Sequence, residues 1–354
     1  MKLFYTNSIT YPSIRANRLQ VKEMAGQFYR ILGANFLFGL RSEYDDNKSI
    51  PVYVATSKKS PFLAIEFLRI ATKKKVTHIY CREERLLFFM IFFARFLSYK
   101  GIFVYEIHRL HPWRWFLKFL LKKCQKIISI TNGLKNQISF YAKVEIMVSP
   151  DAVNVDEFDI SNQDKVDSRV KLKLKKDAKI ILYTGHLYDW KGVDLIPQIA
   201  KILDDFTFLM VGGTELAISN FRRDYLNGIS NVTLVPHVQH EKVPLYLAAA
   251  DVLLLPNSGK FEISRLHTSP LKLFEYMMSK KPIVASRLPS IEEAVSDEDV
   301  FFAEPDNAKS FADKITEAVS NLSLSEQKVL SAYERVRDNT WSKRAEQIIS
   351  YIKE

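Results

Sequence analysis

The stretch "AKIILYTGHLYDWKGVDLIPQIAKILDDFTFLMVGG" (residues 178–213) holds two apolar runs separated by an amphipathic segment. The runs "AKIILYTG" (178–185) and "FTFLMVGG" (206–213) are nearly continuous, which is typical of parallel strands covered on both faces. Between them, "VDLIPQIAKIL" (193–203) has the spacing of a helix. The stretch therefore predicts a strand, a helix and a second, parallel strand.

The same alternation runs through most of the chain. Further strands are predicted in the second half at "NVTLVPHV" (231–238), "DVLLLPN" (251–257), "PIVAS" (282–286) and "DVFFAEP" (299–305), and in the first half at "KLFYTNS" (2–8), "IPVYVATS" (50–57), "VTHIYCR" (76–82), "GIFVYEIH" (101–108) and "KIISIT" (126–131). We predict an α/β protein of two Rossmann-like domains, residues 1–165 and 166–340, with a C-terminal helix at about 341–354 that packs back on the first.

Composition fits two compact domains. The chain has 354 residues, a length greater than one hydrophobic core usually supports, and 47% of its residues are hydrophobic. The cysteines Cys81 and Cys124 show neither metal-site spacing nor a disulfide framework, so we expect a reducing, cytoplasmic setting. The most apolar run, "LLFFMIFFA" (86–94), is too short to span a bilayer, and the first residues lack the apolar core of a signal peptide.

The positive charge is concentrated in the first half of the chain. Residues 1–160 hold 25 Lys and Arg against 13 Asp and Glu, whereas residues 161–354 hold 26 against 27. The stretch "HPWRWFLKFLLKKCQK" (111–126) interleaves these cations with aromatic residues. A solvated surface would explain each patch, but the asymmetry favours an anionic partner, which could be an anionic membrane face, a phosphate-bearing lipid or nucleic acid. We find no zinc-finger or RRM signature and expect no nucleic-acid partner.

The stretch "HTSPLKLFEYMMSKKP" (267–282) predicts a short helix that begins with Ser269 as N-cap and Pro270 as first helical residue. Its apolar residues recur at helical spacing and would pack against a hydrophobic core. Lys272 and Glu275, which this packing does not need, would lie on neighbouring ridges of the first two turns. Free amides at such an end bind anions. An exposed ion pair on a capped helix is the alternative reading of these two residues.

The loop "TGHLYDWKGVDL" (184–195) offers a second cation. Its strand ends at Gly185, and Lys191 precedes the next helix, where a lysine suits a phosphate. Ligands of parallel α/β sheets bind at the carboxyl ends of strands, where both this loop and the helix at 267–282 are expected. A solvated lysine is the alternative for Lys191 alone. Neither loop is a Walker sequence, and "VGG" (211–213) is too short for a dinucleotide fingerprint.

Three stretches resemble the bacterial branch of glycosyltransferase family 4, which are retaining enzymes of the GT-B fold. They are "GHLYDWKGVDLI" (185–196), "VPLYLAAADVLLLPN" (243–257) and "TSPLKLFEYMMSKKPIVASRLPSIEEAV" (268–295). The resemblance implies two facing Rossmann-like domains with a donor/acceptor cleft between them. It also implies a sugar-nucleotide donor, with a UDP- or GDP-sugar expected, as co-substrate and no metal or other cofactor.

The resemblance also implies roles for individual residues. Backbone amides at the phosphate would come from Ser269, Pro270 and Leu271, and Lys272 would add positive potential there. Glu275 would accept hydrogen bonds from the ribose hydroxyls. Lys191 resembles the lysine that steadies the leaving diphosphate, and His108 the histidine that contacts the sugar. The full set implied for the donor side is Gly185, His186, Lys191, Gly212, His237, Val238, Ser269, Pro270, Leu271, Lys272 and Glu275, with Arg15 and Asn17 on the acceptor side and His108, Lys191 and Glu275 as the catalytic residues.

Two positions depart from the wider family. His267 stands eight residues before Glu275, where a second glutamate is usual, and His186 stands where an arginine is common. We predict a retaining glycosyltransferase that acts on a glycan or lipid-linked acceptor in cell-surface polysaccharide or glycoconjugate synthesis, cytoplasmic and peripheral on the inner face of the membrane. The alternatives are an inactive sugar-nucleotide-binding partner of another transferase and a sugar-nucleotide epimerase.

Overall fold

Two parallel β-sheets lie in separate units of the chain. The computed structural model describes residues 1–8, 16–41, 50–57 and 59–354, without the side chains of residues 16 and 17. The first unit comprises Met1–Asp151 and Trp341–Glu354, and the second comprises Ala152–Thr340. This architecture confirms the predicted class, two Rossmann-like α/β units.

In the described part of the first unit, seven parallel strands are ordered β3-β2-β1-β4-β5-β6-β7. The strands are β1 (Leu3–Thr6), β2 (Phe36–Leu40), β3 (Val52–Val54), β4 (His78–Cys81), β5 (Ile102–Ile107), β6 (Lys126–Ser129) and β7 (Ile146–Val148). The helices are α1 (Ala16–Leu32), α2 (Ser60–Lys73), α3 (Glu84–Ala94), α4 (Arg114–Lys123) and α5 (Asn132–Ile138). Phe67 of α2, Leu87 of α3 and Leu120 of α4 share one core on this sheet.

The second unit has a parallel sheet of six strands in the order β10-β9-β8-β11-β12-β13, counting the described residues. The strands are β8 (Lys179–Thr184), β9 (Phe206–Val211), β10 (Val232–Val235), β11 (Val252–Leu255), β12 (Ile283–Ser286) and β13 (Phe301–Ala303). The helices are α6 (Val155–Phe158), α7 (Lys165–Lys171), α8 (Ile196–Ile202), α9 (Glu215–Tyr225), α10 (Val243–Ala249), α11 (Glu262–Leu266), α12 (Leu271–Met278), α13 (Pro289–Glu292), α14 (Ala308–Ser320) and α15 (Leu322–Val336).

Helices cover both faces of this second sheet, as its nearly continuous apolar strands predict. Leu247 of α10 and Leu273 of α12 belong to one core, and Ile199 of α8 and Ile315 of α14 belong to the other. Helices α6 and α7 also lie in this unit, so the observed division of the chain falls earlier than the predicted boundary at 165. No helix in the described ranges combines the length and apolarity needed to cross a bilayer.

The last helix, α16 (Trp341–Lys353), returns to the first unit and packs beside α1. A buried ion pair fixes it, because Arg344 Nη2 lies 3.2 Å from Glu106 Oε1 of β5. Arg344 also donates through Nε to the carbonyl oxygen of Pro150 at 2.7 Å. Burial alone would raise the pKa of Glu106, but Arg344 and His108 outweigh it and hold that pKa well below its usual range.

Replacing Arg344 by methionine should destabilise the first unit. The change keeps the apolar stem but leaves the Glu106 carboxylate buried without its main counterion, which typically costs about 3–5 kcal/mol. Urea unfolding followed by circular dichroism measures the loss. Lys353→Met, on the same helix but exposed, is the control and should change stability by no more than about 0.5 kcal/mol. A loss below about 1 kcal/mol for Arg344→Met would contradict this account of how α16 is held.

Candidate functional site

The strand order of the second unit reverses between β8 and β11, and the loops that follow these strands touch. Gly192 has a φ of 64°, and a Cβ atom there would lie 1.9 Å from the carbonyl oxygen of Pro256. The amide of Ser258 donates to the carbonyl oxygen of Trp190 at 3.1 Å. In open α/β sheets a crevice forms at such a reversal, outside the carboxyl ends of the strands. The absence of a side chain at Gly192 lets the Lys191 loop close against it.

Gly185 has a similar role on the other side of the Lys191 side chain. Its φ is 134°, and a Cβ atom there would lie 3.4 Å from Lys191 Nζ. The carbonyl oxygen of Gly185 would in turn lie 2.3 Å from a Cβ atom at Gly212. The loops after β8 and β9 therefore meet through glycine backbone, close to the lysine ammonium, as expected for residues assigned to one site.

Helix α12 begins one residue later than the sequence predicts. Pro270, with a ψ of 107°, is the N-cap and Leu271 is the first helical residue, so the prediction of Ser269 as N-cap was wrong. Proline has no amide hydrogen, and Pro270 therefore cannot give the amide that the resemblance implied. The amides of the first turn that lack intrahelical partners belong to Leu271 and Lys272.

Lys272 points into the protein. Its side chain is buried, and Nζ lies 4.1 Å from the centre of the Tyr183 ring. Within the described ranges of the chain, no hydrogen-bond acceptor reaches this ammonium. Burial and the charge of Lys191 lower the pKa of Lys272 well below its usual value, against the opposing effect of Glu275. The reading of Lys272 as part of an exposed surface ion pair is therefore wrong.

Lys191 is a second cation without a carboxylate partner. Its Nζ lies 5.3 Å from the centre of the Trp190 ring and 5.6 Å from that of Tyr188. Among the residues described, no Asp or Glu is within ion-pair distance of it. Burial lowers the pKa of Lys191 to about 8, although Glu275 acts in the opposite direction. Two ammonium groups and one carboxylate from separate segments thus influence one another at the same edge of the sheet.

Glu275 is buried and paired, but not with either lysine. Its Oε1 accepts a hydrogen bond from Nε2 of His240 at 2.9 Å. The other ring nitrogen of His240, Nδ1, lies 3.0 Å from Oε1 of Glu157. Neither His240 nor Glu157 was predicted from the sequence. The sequence held one signal for His240, because this residue follows the carboxyl end of β10, where ligands of parallel sheets bind. Glu157 precedes the first strand of its unit, and no sequence pattern pointed to it.

His237 and Val238, two residues of the predicted donor side, lie near His186. The rings of His186 and His237 are nearly parallel, with centres 6.4 Å apart and planes at 6°. The amide of His237 donates to the carbonyl oxygen of Gly213 at 3.0 Å. Val238 is half-buried and packs against the core that contains α12. The loops after β8, β9 and β10 therefore converge.

His267 is buried at the end of α11, and its amide donates to the carbonyl oxygen of Ile263 at 3.2 Å. Burial lowers the pKa of His267, and Glu262 opposes the shift. An uncharged histidine thus occupies the position where the wider family has a glutamate.

In the first unit, His108 follows β5 and both of its ring nitrogens are occupied. Nε2 lies 2.5 Å from Oε1 of Glu106, and Nδ1 lies 3.1 Å from Nη2 of Arg82. Burial and Arg82 lower the pKa of His108 to about 4, and Glu106 opposes them. The ring is therefore neutral, with its proton on the nitrogen that faces the carboxylate. A sugar hydroxyl could hydrogen-bond to this ring only if one of these contacts opened.

The acceptor-side predictions are not tested by the structure. Arg15 lies outside the described residues, and Asn17 lies in α1 with a side chain that is not described. Arg82, which the sequence did not single out, follows β4 next to His108 and donates to Gln20 Oε1 at 2.7 Å. It is a further candidate at the carboxyl edge of this sheet.

Comparison with known proteins identifies the second unit most directly. The sequence model of the family described as "Glycosyl transferases group 1" matches residues 178–321. An uncharacterized glycosyltransferase of Methanocaldococcus jannaschii is 26% identical over 214 residues, which are 60% of this chain and 54% of that protein. The processive diacylglycerol alpha-glucosyltransferase of Acholeplasma laidlawii is 21% identical over 189 residues, which are 50% and 54% of the two chains. The chain thus spans about half the length of the curated relatives it matches.

Solved structures share the fold over the whole chain. The structure of Anabaena HepE in complex with UDP has a TM-score of 0.81 at 15% identity and covers 100% of both chains. WaaG, a glycosyltransferase involved in lipopolysaccharide biosynthesis, has a TM-score of 0.72 at 13% identity and covers 98% of both chains. At these identities the likeness shows the fold alone. The second unit is therefore similar to the group 1 glycosyltransferases over residues 178–321, and the chain as a whole has the GT-B fold of the solved structures.

Proposed function

We propose that this protein is a retaining glycosyltransferase that takes a sugar from a nucleotide-sugar donor, without a metal, and transfers it to a glycan or lipid-linked acceptor of a cell-surface polysaccharide or glycoconjugate. The observation that carries the proposal is a pair of lysine ammonium groups, buried Lys272 and half-buried Lys191, at the strand-order reversal of the second unit. Buried charges are normally paired. A pair of lysines left without a carboxylate is suited to an anion that arrives with a ligand.

A diphosphate matches this anion in charge and in its surroundings. The first-turn amides of Leu271 and Lys272 would donate to it, and the positive end of the α12 dipole favours the same ligand. Glu275, one turn further along, is a carboxylate and therefore accepts hydrogen bonds from hydroxyl groups such as those of ribose. His237 and Val238 follow β10, where we place the base. The HepE complexes contain UDP and UDP-glucose, which supports a nucleotide of this kind.

The two lysines would also act in the reaction itself. When the bond between the sugar carbon and the diphosphate oxygen breaks, its electron pair stays on the diphosphate, whose charge rises. Fixed cations at that position are worth more to the transition state than to the bound donor. The acceptor hydroxyl would bond to the sugar carbon on the face that the diphosphate leaves, and its proton would pass to the departing phosphate oxygen. Such a reaction needs no second carboxylate from the protein.

A donor-binding protein without transferase activity is the second candidate, because the buried His267 replaces the second glutamate of the wider family. Both candidates bind the donor. Sugar transfer to an extract of membrane lipid, or hydrolysis of the donor, distinguishes them, since only the enzyme consumes the nucleotide sugar.

The acceptor is assigned to the first unit, whose surface suits an anionic membrane. Trp113 and Trp115, exposed to 59% and 63%, stack with ring centres 6.3 Å apart at the start of α4. Phe92 and Phe96, exposed to 52% and 71%, lie at the end of α3, which packs on α4. Helix α4 carries Arg114, Lys118, Lys122 and Lys123 and no acidic residue. Aromatic side chains beside cations favour the interface of an anionic bilayer, which supports a peripheral position on the cytoplasmic face.

Nucleotide binding is the first test of the donor site. In a metal-free thermal-shift assay with UDP, GDP, ADP and their sugars, we expect one base to raise the melting temperature by about 5 °C at about 100 times its Kd. Glu275→Ala should abolish most of that shift. No stabilisation of the wild-type protein by any of these nucleotides would contradict the proposed function.

The Lys272→Met variant tests the same site through two properties, the stability of the unliganded protein and its stabilisation by nucleotide. Because methionine is similar in shape but uncharged, the variant should be more stable than the unliganded wild type by about 1–3 kcal/mol and should no longer respond to nucleotide. Lys201→Met, on the exposed side of α8, is the control and should change neither property. A Lys272→Met protein that is less stable, or that still responds, would show that the buried ammonium does not serve the ligand.

The pKa of Lys191 predicts how binding depends on pH. In the unliganded protein this pKa is about 8, and a bound diphosphate raises it because the anion favours the charged form. Affinity for the preferred nucleoside diphosphate should therefore be constant between pH 7 and 8 and fall by up to about tenfold per pH unit above pH 8. In Lys191→Arg the guanidinium stays charged, so the affinity should fall less steeply with pH, by the contribution of Lys191, and only the contribution of Lys272 should remain. Calorimetric titration measures both profiles, and an identical fall in the two proteins would contradict the assignment.

Sedimentation with vesicles tests the membrane surface. Wild-type protein should bind vesicles of phosphatidylglycerol and phosphatidylcholine but not of phosphatidylcholine alone. The double charge reversal Lys122→Glu, Lys123→Glu should weaken binding about tenfold or more, and Trp113→Ala with Trp115→Ala should weaken it because interfacial aromatic contacts are lost. Lys171→Glu with Lys175→Glu makes the same charge change on the second unit. If this control weakens binding equally, the attraction depends on net charge and not on the α3–α4 surface.

A further inference from the structure

His240 lies between two carboxylates from distant parts of the second unit. It occupies a 3₁₀ turn, His240–Lys242, just before α10. Nε2 lies 2.9 Å from Oε1 of Glu275, and Nδ1 lies 3.0 Å from Oε1 of Glu157. Nε2 is thus hydrogen-bonded to Glu275, whereas Nδ1 lies within ion-pair distance of Glu157 without hydrogen-bond alignment. Two carboxylates so close to one ring favour the protonated imidazolium over the neutral form.

The electrostatics agree with the geometry. Burial by itself would lower the pKa of His240, but contacts with Glu157 and Glu275 outweigh it and raise the pKa to about 10. The imidazolium is therefore present throughout the physiological range. The titratable groups nearby include His237, whose pKa is lowered by burial and by His240, and Lys191 and Lys272, which interact with Glu275. The imidazolium charge balances part of the negative charge of the two carboxylates and so lowers the cost of burying the Glu275 side chain.

Packing holds the ring in this orientation. The ring of Phe158, at the end of α6, lies against the imidazole with centres 5.1 Å apart. Glu157 precedes Phe158 in the same short helix, and α6 itself packs against α12, which carries Glu275. The histidine is therefore fixed from one side by an aromatic ring and from the other by the helix on which its partner stands.

We propose that His240 is a positioning residue for Glu275. Its imidazolium, which Glu157 holds in place, fixes the Glu275 carboxylate so that the remaining oxygen accepts hydrogen bonds from the ribose hydroxyls of the donor. The proposal rests on the proposed function, because it takes Glu275 as the ribose-binding group. The Nε2 hydrogen bond occupies Oε1 and restrains the side-chain torsions, which leaves Oε2 preorganised for the ligand. Preorganisation of this kind raises affinity by removing an ordering cost on binding. His240 itself need not touch the ligand.

The test separates an effect on ribose binding from a general loss of structure. UDP and 2′,3′-dideoxy-UDP are titrated calorimetrically into wild type, His240→Leu, His240→Gln, Glu157→Gln and Glu275→Gln, with GDP and its dideoxy form used instead if the thermal-shift assay selects guanine. Removing the hydroxyls should weaken wild-type binding about tenfold or more. His240→Leu should weaken UDP binding by a similar factor and leave dideoxy-UDP binding within about twofold of wild type.

The other variants refine the result. His240→Gln can keep one hydrogen bond to Glu275 but loses the positive charge, and Glu157→Gln removes the negative charge beside Nδ1. The affinity of both variants for UDP should therefore lie between those of wild type and His240→Leu. The double variant His240→Leu, Glu275→Gln should bind UDP no more weakly than Glu275→Gln alone, since both changes act through one carboxylate. His111→Gln, a histidine near Glu84 in the first unit at 3.9 Å, is the matched control and should bind like wild type.

Each contrary outcome has a distinct meaning. Equal weakening of UDP and dideoxy-UDP by His240→Leu, or by His240→Gln if the leucine variant does not fold, would overturn the inference, because the histidine would then serve the unit as a whole. Unchanged UDP binding in both His240 variants, with a normal ribose effect in wild type, would also overturn the inference and leave the proposed function standing. Failure of the wild-type protein to bind any nucleotide would overturn the proposed function, and the inference with it.

Discussion

The site that we propose for the donor depends on two lysine ammonium groups, of buried Lys272 and half-buried Lys191, for which the described residues supply no carboxylate partner. Removing a charge from water is costly unless an opposite charge or hydrogen-bond acceptors replace the solvent. Lys272 finds only the face of Tyr183 among the described residues, and Lys191 only the rings of its own loop. The unit holds this unfavourable arrangement because the surrounding core is well packed, and an anionic ligand would relieve it. Structural strain of this kind is expected where a protein binds or reacts.

The sheet topology determines where these charges meet. Because the strand order reverses between β8 and β11, helices α8 and α12 pack in different cores of the sheet, and such a reversal is where ligands bind in open α/β sheets. Gly192 and Gly212 then allow backbone to approach backbone more closely than any side chain would permit. Helix α12 starts at the same edge and contributes both Lys272 and Glu275. Backbone geometry therefore brings together groups that belong to separate segments.

The buried charges of the two units are organised differently. In the first unit, Glu106 contacts Arg344, His108 and the hydroxyl of Tyr80, so its negative charge is compensated. Such a network stabilises the position of α16 and holds His108 in one neutral tautomer. In the second unit the imidazolium of His240 is compensated in the same way, but the two lysines are not. This contrast is one reason why we propose that the two lysines bind an anionic ligand.

The sequence alone determined the fold class and the chemical type of the site. Continuous apolar runs identified all six strands of the second sheet, and the positions of Lys191, Lys272 and Glu275 at loop and helix ends were visible because capping and periodicity are local properties. Phe36–Leu40 and Ile146–Val148 were not predicted as strands, since apolar runs this short do not by themselves distinguish a strand from other structure. Only the tertiary structure decided that Lys272 faces inward, that Pro270 caps α12, and which charged or polar partners His240, Glu157, Arg82 and Arg344 have. These features depend on contacts between residues far apart in the chain, and charge pairing over such separations leaves no local pattern in the sequence.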